Sequence, residues 1–142
     1  MIVLEEITEE NISLYSAFEF GDYKKYQSRI YPDEAADEKL WYYIKYDDMY
    51  IGTVWLEKFS CNDFAVLGIY IANEDCRNKG IGLTAIEIVL EKMSILAVDK
   101  VLLRVREDNK RAIKCYQKAG FIEKRRYVKA NGIKAIEMIY TK

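Results

Sequence analysis

Apolar positions along the chain follow two rhythms, one of period two and one near 3.6, and their alternation predicts a mixed α/β order. Ile2-Val3-Leu4 reads as an opening strand, after which Thr8 offers an N-cap to a helix starting near Glu9, with Ile12, Tyr15 and Phe18 or Glu19 at helical spacing. Residues 21 to 39 are aromatic and charged without a clean period and contain the only proline, Pro32, which predicts a short helix and a loop. Trp41 to Tyr46 and Tyr50 to Leu56 are aromatic and β-branched around Asp47-Asp48-Met49, a strand–turn–strand signal, and Phe64 to Ile71 is a further apolar run. A helix is predicted from Ile81 to about Leu96, its stripe of Ile81, Ala85, Ile88, Val89 and Leu96 broadened by Ile86, Leu90 and Met93.

Val101 to Val105 predicts another strand. Asn109 then caps a helix with Ala112, Cys115, Tyr116 and Ala119 on one face, and Gly120 ends it with Phe121 as the apolar partner beyond the cap. Phe121 to Ala130 and Ile133 to Tyr140 flank Asn131-Gly132, which predicts a hairpin with a type I′ turn.

The most specific chemical signal lies between the third apolar run and the long helix. In Arg77-Asn78-Lys79-Gly80-Ile81-Gly82, glycines let an anion approach backbone N–H groups at a positive helix terminus, and Arg77 and Lys79 add charge. The plain alternative is a glycine-relaxed turn. Gly80-Ile81-Gly82-Leu83-Thr84-Ala85 spells G-x-G-x-x-A, but eight residues, Ala72 to Lys79, separate it from the strand, where a dinucleotide fold has the first glycine directly after the strand. A Walker loop needs Gly-Lys, and that dipeptide does not occur.

Composition narrows the chemistry further. The 142 residues contain no histidine, which excludes Ser-His-Asp triads, Cys-His dyads and histidine metal sites. Cys61, Cys76 and Cys115 form no C-x-x-C pair, so neither a disulfide framework nor a cysteine zinc site is expected; the metal expectation is none, and the compartment reducing and cytoplasmic. Neither a signal peptide nor a membrane span is indicated. The net charge of −1 conceals an asymmetry: residues 1–75 hold 6 basic and 16 acidic side chains, residues 76–142 hold 16 and 7. An anionic ligand for the basic half and a cationic one for the acidic half follow as expectations, against the plainer reading of two solvated faces.

With these residues in view, the sequence resembles the GNAT-type N-acetyltransferases, which bind acetyl-CoA. Arg77-x-x-Gly80-x-Gly82 matches their Q/R-x-x-G-x-G/A signature, Leu67-Gly68-Ile69-Tyr70-Ile71 is similar to their splayed central strand, and Asn109 to Phe121 looks like their N-x-x-A-x-x-x-Y-x-x-x-G-F block. The resemblance covers roughly residues 52 to 140 and is architectural before that. It implies a single α/β (α+β) domain over residues 1–142. The implied fold is a mixed, mostly antiparallel twisted sheet of about six or seven strands with about four helices, splayed central strands and a C-terminal hairpin.

The resemblance also implies roles. Backbone groups of Ile69 and Ile71 would hold the acetyl carbonyl and pantetheine arm, amides of Arg77, Asn78, Lys79, Gly80, Ile81 and Gly82 the pyrophosphate, and Asn109 the pantetheine region. Tyr116 would act as general acid beside the thioester sulfur, its plain alternative being core packing. Relatives often carry a glutamate base where this chain has Val66 or Arg104; the remaining acids in range are Glu57, the candidate base, and Glu74 or Asp75, beside a base acting through water or selection of the neutral fraction of the amine.

The implied reaction is direct acetyl transfer from acetyl-CoA to a primary amine of a small molecule or protein N-terminus. A cationic acceptor suits Tyr23, Tyr26, Tyr31, Trp41, Tyr42 and Tyr43 beside Asp33, Glu34, Asp37 and Glu38. A CoA-binding or sensing module without catalysis is the alternative, and nucleic-acid binding by the basic half is the weakest. Lys124-Arg125-Arg126 reads as a solvated strand edge. A homodimer through exposed strands is also expected.

Overall fold

A computed structural model describes residues 1–17, 32–71 and 80–142. Seven strands form one sheet in the order β1-β2-β3-β4-β5-β7-β6. They are β1 (Ile2–Glu6), β2 (Glu38–Tyr46), β3 (Met49–Lys58), β4 (Ala65–Ile71), β5 (Lys100–Arg106), β6 (Ile122–Val128) and β7 (Lys134–Thr141), with helices α1 (Ile81–Leu90) and α2 (Lys110–Lys118). Only β4 and β5 run parallel, so the sheet is mixed and mostly antiparallel as expected. Against the expectation of about four helices, the described residues show these two α-helices and two 3-10 helices, Ile12–Ala17 and Met93–Leu96.

The period of two sorts the strands into two faces. Val54, Leu56, Leu67, Val101, Leu103, Val105, Ile136 and Met138 form one apolar cluster with Ile81, Ala85, Ile86 and Val89 of α1, and the predicted stripe of α2 packs against it, partly buried. Tyr43, Trp55, Glu57, Gly68, Arg104 and Glu137 therefore belong to the opposite face. There the N-terminal segment lies close: the Tyr43 hydroxyl donates to the carbonyls of Asn11 at 2.7 Å and Ile12 at 3.2 Å.

Several expected details are corrected. The helix predicted from Glu9 is a 3-10 helix beginning at Ile12, because the Asn11 side chain accepts the Thr8 N–H at 2.7 Å and donates to the Glu6 carbonyl at 2.9 Å, bonds that compete with a helical start. Phe18, Glu19 and the short helix expected after residue 21 fall outside the described residues. The β2–β3 turn holds two residues, Asp47 and Asp48, with φ of 48° and 65°, the left-handed pair of a type I′ turn. Asn131-Gly132 is not such a turn. Gly132 N–H bonds the Lys129 carbonyl at 2.9 Å, and of the two only Gly132 has positive φ, 86°, so a type I turn closes on a left-handed glycine.

The long helix also breaks earlier than its pattern suggests, since Lys92 N–H bonds the carbonyl three residues back, on Val89, and opens a 3-10 turn. The predicted end of α2 is observed. Gly120, at φ 106°, and Phe121 donate to the carbonyls of Gln117 and Tyr116 respectively, both at 3.1 Å or less, completing a Schellman motif.

Candidate active site

The site is built around an incomplete ladder. β4 and β5 pair at Ala65–Val101 and Val66–Leu102 and at no further residue. Past that point β4 continues with β3 up to Ile71 and β5 with β7 up to Arg106, so the central strands splay. Ile69 and Ile71 lie on β4 beyond the last shared rung.

Helix α1 starts beside this divergence. Gly80 is its N-cap in the left-handed region, φ 77°, where a side chain would strain the backbone; among the described residues no side chain caps the helix, and its first turn contains no acid. The first-turn amides of Ile81, Gly82 and Leu83 have no intrahelical acceptor. The Ile81 side chain is buried in the core, so only its backbone faces this role. A Cβ on Gly82 would lie 3.5 Å from Ile71 Cδ1 and 3.8 Å from Cys115 Sγ. The end of β4, the start of α1 and the middle of α2 therefore meet at Gly82. Arg77, Asn78 and Lys79, like Glu74, Asp75 and Cys76, lie outside the described residues.

From α2 the site receives Tyr116. The helix is set by Asn109, whose Oδ1 accepts the Ala112 N–H at 3.4 Å as the predicted N-cap. Tyr116 is half-buried with its ring edge-on to Phe121, 6.1 Å between centroids. Burial pushes its phenol well above the ordinary value of 10.0, and the neighbouring Cys115 adds to the effect. The hydroxyl makes no hydrogen bond among the described residues, so a protonated donor is available.

Glu57 is 3% exposed on β3, and its Oε2 accepts the Asp33 N–H at 2.6 Å. It is the cross-strand partner of Val66, one strand away from the position where a base was sought. The aromatic–acidic cluster has structural tasks in part: Tyr43 is fully buried, Asp33 Oδ1 accepts the Ala35 N–H at 2.9 Å, and Asp37 Oδ2 accepts the Ser60 N–H at 2.5 Å. Tyr23, Tyr26 and Tyr31 fall outside the described residues.

Sequence reasoning missed a convergence on the same face. Glu137, 3% exposed, accepts Arg104 Nε at 3.2 Å, Lys124 Nζ at 3.4 Å and Arg125 Nε at 3.3 Å. Burial alone would raise its pKa, but hydrogen bonds from Arg125 and Lys124 and the charges of Arg125 and Arg104 outweigh that and lower it, so the carboxylate stays ionised. No local pattern announces this, because Lys124 is the extra residue of a β-bulge: Glu123 pairs with Met138 and Arg125 with the adjacent Glu137. The basic run read as a solvated edge does lie exposed on the edge strand β6; Lys124 and Arg125 also reach the buried Glu137, and Arg126 pairs with Glu123 and Glu107.

Comparison with known proteins follows the same outline. No helix among the described residues is long and apolar enough to cross a membrane. No curated protein matches the sequence. Among solved structures, an aminoglycoside acetyltransferase in complex with coenzyme A and kanamycin matches with a TM-score of 0.79 at 20% identity, covering 100% of this chain and 95% of its own. The spermidine N-acetyltransferase of Vibrio cholerae in complex with CoA and spermine matches with a TM-score of 0.77 at 17% identity, covering 99% and 95%. At that identity the likeness establishes the fold. Family membership rests on the sequence itself, which matches the description of the acetyltransferase (GNAT) family over residues 4–121, and the chain belongs to that family.

Proposed function

We propose that this acetyltransferase moves the acetyl group of acetyl-CoA onto a primary amine, of a small molecule or a protein N-terminus, by direct attack in a ternary complex. The observation that supports the reading is the ladder that stops at Val66–Leu102 beside the glycine-bearing start of α1, which the Cys115 turn of α2 approaches. Acetyl-CoA supplies an activated thioester. The chain supplies position and proton handling.

In this reading the amides of Gly80, Ile81 and Gly82 hold pyrophosphate oxygens together with Arg77, Asn78 and Lys79, and Ile69, Ile71 and Asn109 line the pantetheine path. Glu57 takes the proton of the incoming ammonium through a water, since it sits one strand from Val66, about 5 Å in a sheet. The amine nitrogen bonds to the acetyl carbon as the carbon–sulfur bond breaks, Tyr116 donates its proton to the departing sulfur, and the second proton shed by the nitrogen passes through water to restore the Tyr116 phenol. Exposed Glu34, Asp37 and Glu38 favour a cationic acceptor. We place the enzyme, as one domain over residues 1–142, in the reducing cytoplasm, with homodimers formed through an exposed strand. A catalytically silent CoA sensor is the second reading, prompted by Val66 and Arg104. Release of free thiol from acetyl-CoA with a panel of amines separates the two: turnover with any amine excludes the sensor, and absence of turnover with all of them overturns the enzyme.

Tyr116→Phe is expected to lower kcat roughly ten- to a hundredfold with little change in KM, the low end for a general acid because a thiolate leaves readily. The folded-state pKa lies above 10.0, so the phenol keeps its proton through neutral and mildly alkaline pH. The wild-type kcat profile should therefore show no fall owing to Tyr116 below about pH 10. Unchanged turnover in the variant removes the acid role.

Glu57→Gln preserves an acceptor for the Asp33 N–H and should fold normally while kcat/KM falls on the order of a hundredfold at neutral pH. Glu57→Ala, which orphans that N–H, should also lose about 1.5–3 kcal/mol of stability in a denaturant titration. Wild-type rates in Glu57→Gln would leave the residue a purely structural anchor.

A further inference from the structure

The cation cluster on β5, β6 and β7 exceeds what its carboxylate needs. Arg104, Lys124 and Arg125 surround one buried Glu137, so among the described residues the cluster carries two positive charges more than its carboxylate balances. Both arginines bond Glu137 through Nε, and their terminal Nη groups make no hydrogen bond among the described residues. The side chains of Arg104, Lys124 and Arg125 are 52%, 48% and 53% exposed. Other charges on these strands are already engaged among the described residues: Arg106 bonds Asp108 through Nε at 3.1 Å and Nη2 at 2.9 Å, while Glu123 and Glu107 pair with Arg126.

This arrangement is held in place. Arg104, Glu137 and Arg125 form one cross-strand row. The bulge lets Lys124 join its neighbour Arg125 on the same carboxylate. The Arg125 guanidinium also lies 4.6 Å from the Tyr127 ring centroid, which fixes its plane.

Its location gives the surplus charge a use. Arg104 is two residues past Leu102, the last rung shared with β4, or roughly 7 Å along the strand. It faces away from α1 and α2, whose side of the sheet is filled by the core and, in the reading above, by the coenzyme. An acceptor amine approaching the splayed strands along the exposed side chains of β5 and β6 passes this row. The geometry points to an acceptor that carries a carboxylate beside its amine, an amino acid or acidic peptide N-terminus, with the anionic group bound by Arg104 and Arg125 while the amine reaches the thioester. The ammonium can still be drawn by the acidic half of the chain, whereas a polyamine, with no anion, is repelled by the row. The inference rests on the acetyl-transfer reading for its setting.

The test compares acceptors that differ in one charge: Asp-Ala-Ala-amide against Asn-Ala-Ala-amide, and phosphoethanolamine against ethanolamine. Wild-type enzyme is expected to prefer the aspartyl peptide by about tenfold or more in kcat/KM, and raised salt should shrink the preference. Arg104→Gln and Arg125→Gln should each remove most of it, and Arg125→Lys should restore a part, because the charge returns without the fork. A partly unfolded preparation lowers both rates of a pair alike, so the ratio is immune to a folding defect. Equal use of both peptides, or a ratio unmoved by the arginine changes, overturns the inference, and preference confined to phosphoethanolamine replaces the carboxylate by a phosphate. Calorimetric titration of Asp-Ala-Ala-amide into the CoA-loaded protein reads the anion site without turnover. Binding lost in Arg125→Gln supports the site even if no amine is acetylated, in which case acetyl transfer alone fails, and absence of binding to the wild type overturns the site.

Discussion

Gly82→Trp is expected to abolish acetyl-CoA binding in a protein that still melts cooperatively. The second residue of α1 does not have to be glycine for the fold: its φ is not in the left-handed region, and a Cβ would make only ordinary contacts at 3.5 Å with Ile71 and 3.8 Å with Cys115. Glycine there instead costs the helix up to about 1 kcal/mol relative to alanine. What the missing side chain provides is open backbone at the point where β4, α1 and α2 meet. Gly82→Ala should therefore melt slightly higher than wild type yet bind the coenzyme more weakly, and the indole of Gly82→Trp should fill the cradle. At a hundredfold excess over Kd, wild-type protein gains about 2.7 kcal/mol from ligand, a rise on the order of 10 °C in Tm. The tryptophan variant should show no rise, and a wild-type rise in that variant would remove the cradle from this position.

The second large effect is on stability. A Cβ on Gly68 would lie 2.1 Å from Cε2 and Cζ2 of Trp55, whose indole lies across β4 from the neighbouring strand. Gly68→Ala is expected to destabilise by about 3 kcal/mol, the upper end for overpacking, and to lower Tm by roughly 10 °C. Because the clash is with a side chain, Trp55→Phe in the same chain should recover part of the loss, a coupling that a double-mutant cycle reads directly. Gly52 is the control: its Cβ would meet the Tyr70 carbonyl oxygen at 2.0 Å, backbone that no side-chain change can move. Gly52→Ala should be as damaging and not rescued. Additive effects of Gly68→Ala and Trp55→Phe would show that the indole moves aside.

How much of this was legible in the sequence depends on the range of the deciding interaction. Asn109 and Gly120 bound α2 through bonds within a few residues, and both were predictable from residue type. The turn at Asn131-Gly132 was placed correctly but given the wrong type, because the choice between two and three loop residues is made by how β6 and β7 align, not by the dipeptide. The start of the N-terminal helix was lost to an asparagine side chain that satisfies the backbone in a non-helical way. In the site, the glycines, Asn109 and Tyr116 stand in local motifs, whereas Glu57 beside Val66 and the three cations on Glu137 are cross-strand facts. A bulge of one residue decides the second of these, and no local composition signals it.

The short parallel ladder has a consequence for how the molecule comes apart. Strands β1 to β4 come from the acidic stretch of the chain and β5 to β7 from the basic one, and two rungs tie the sheet together where they meet. Each side closes its own antiparallel ladders, so each is a natural cooperative unit, and the seam between them is the place where partial opening requires the fewest backbone bonds to break. In the proposed reading the coenzyme lodges between the diverging strands and occupies that seam. Part of the enzyme's rigidity is then expected to arrive with its substrate, read as slower amide exchange in β4 and β5 when acetyl-CoA is added.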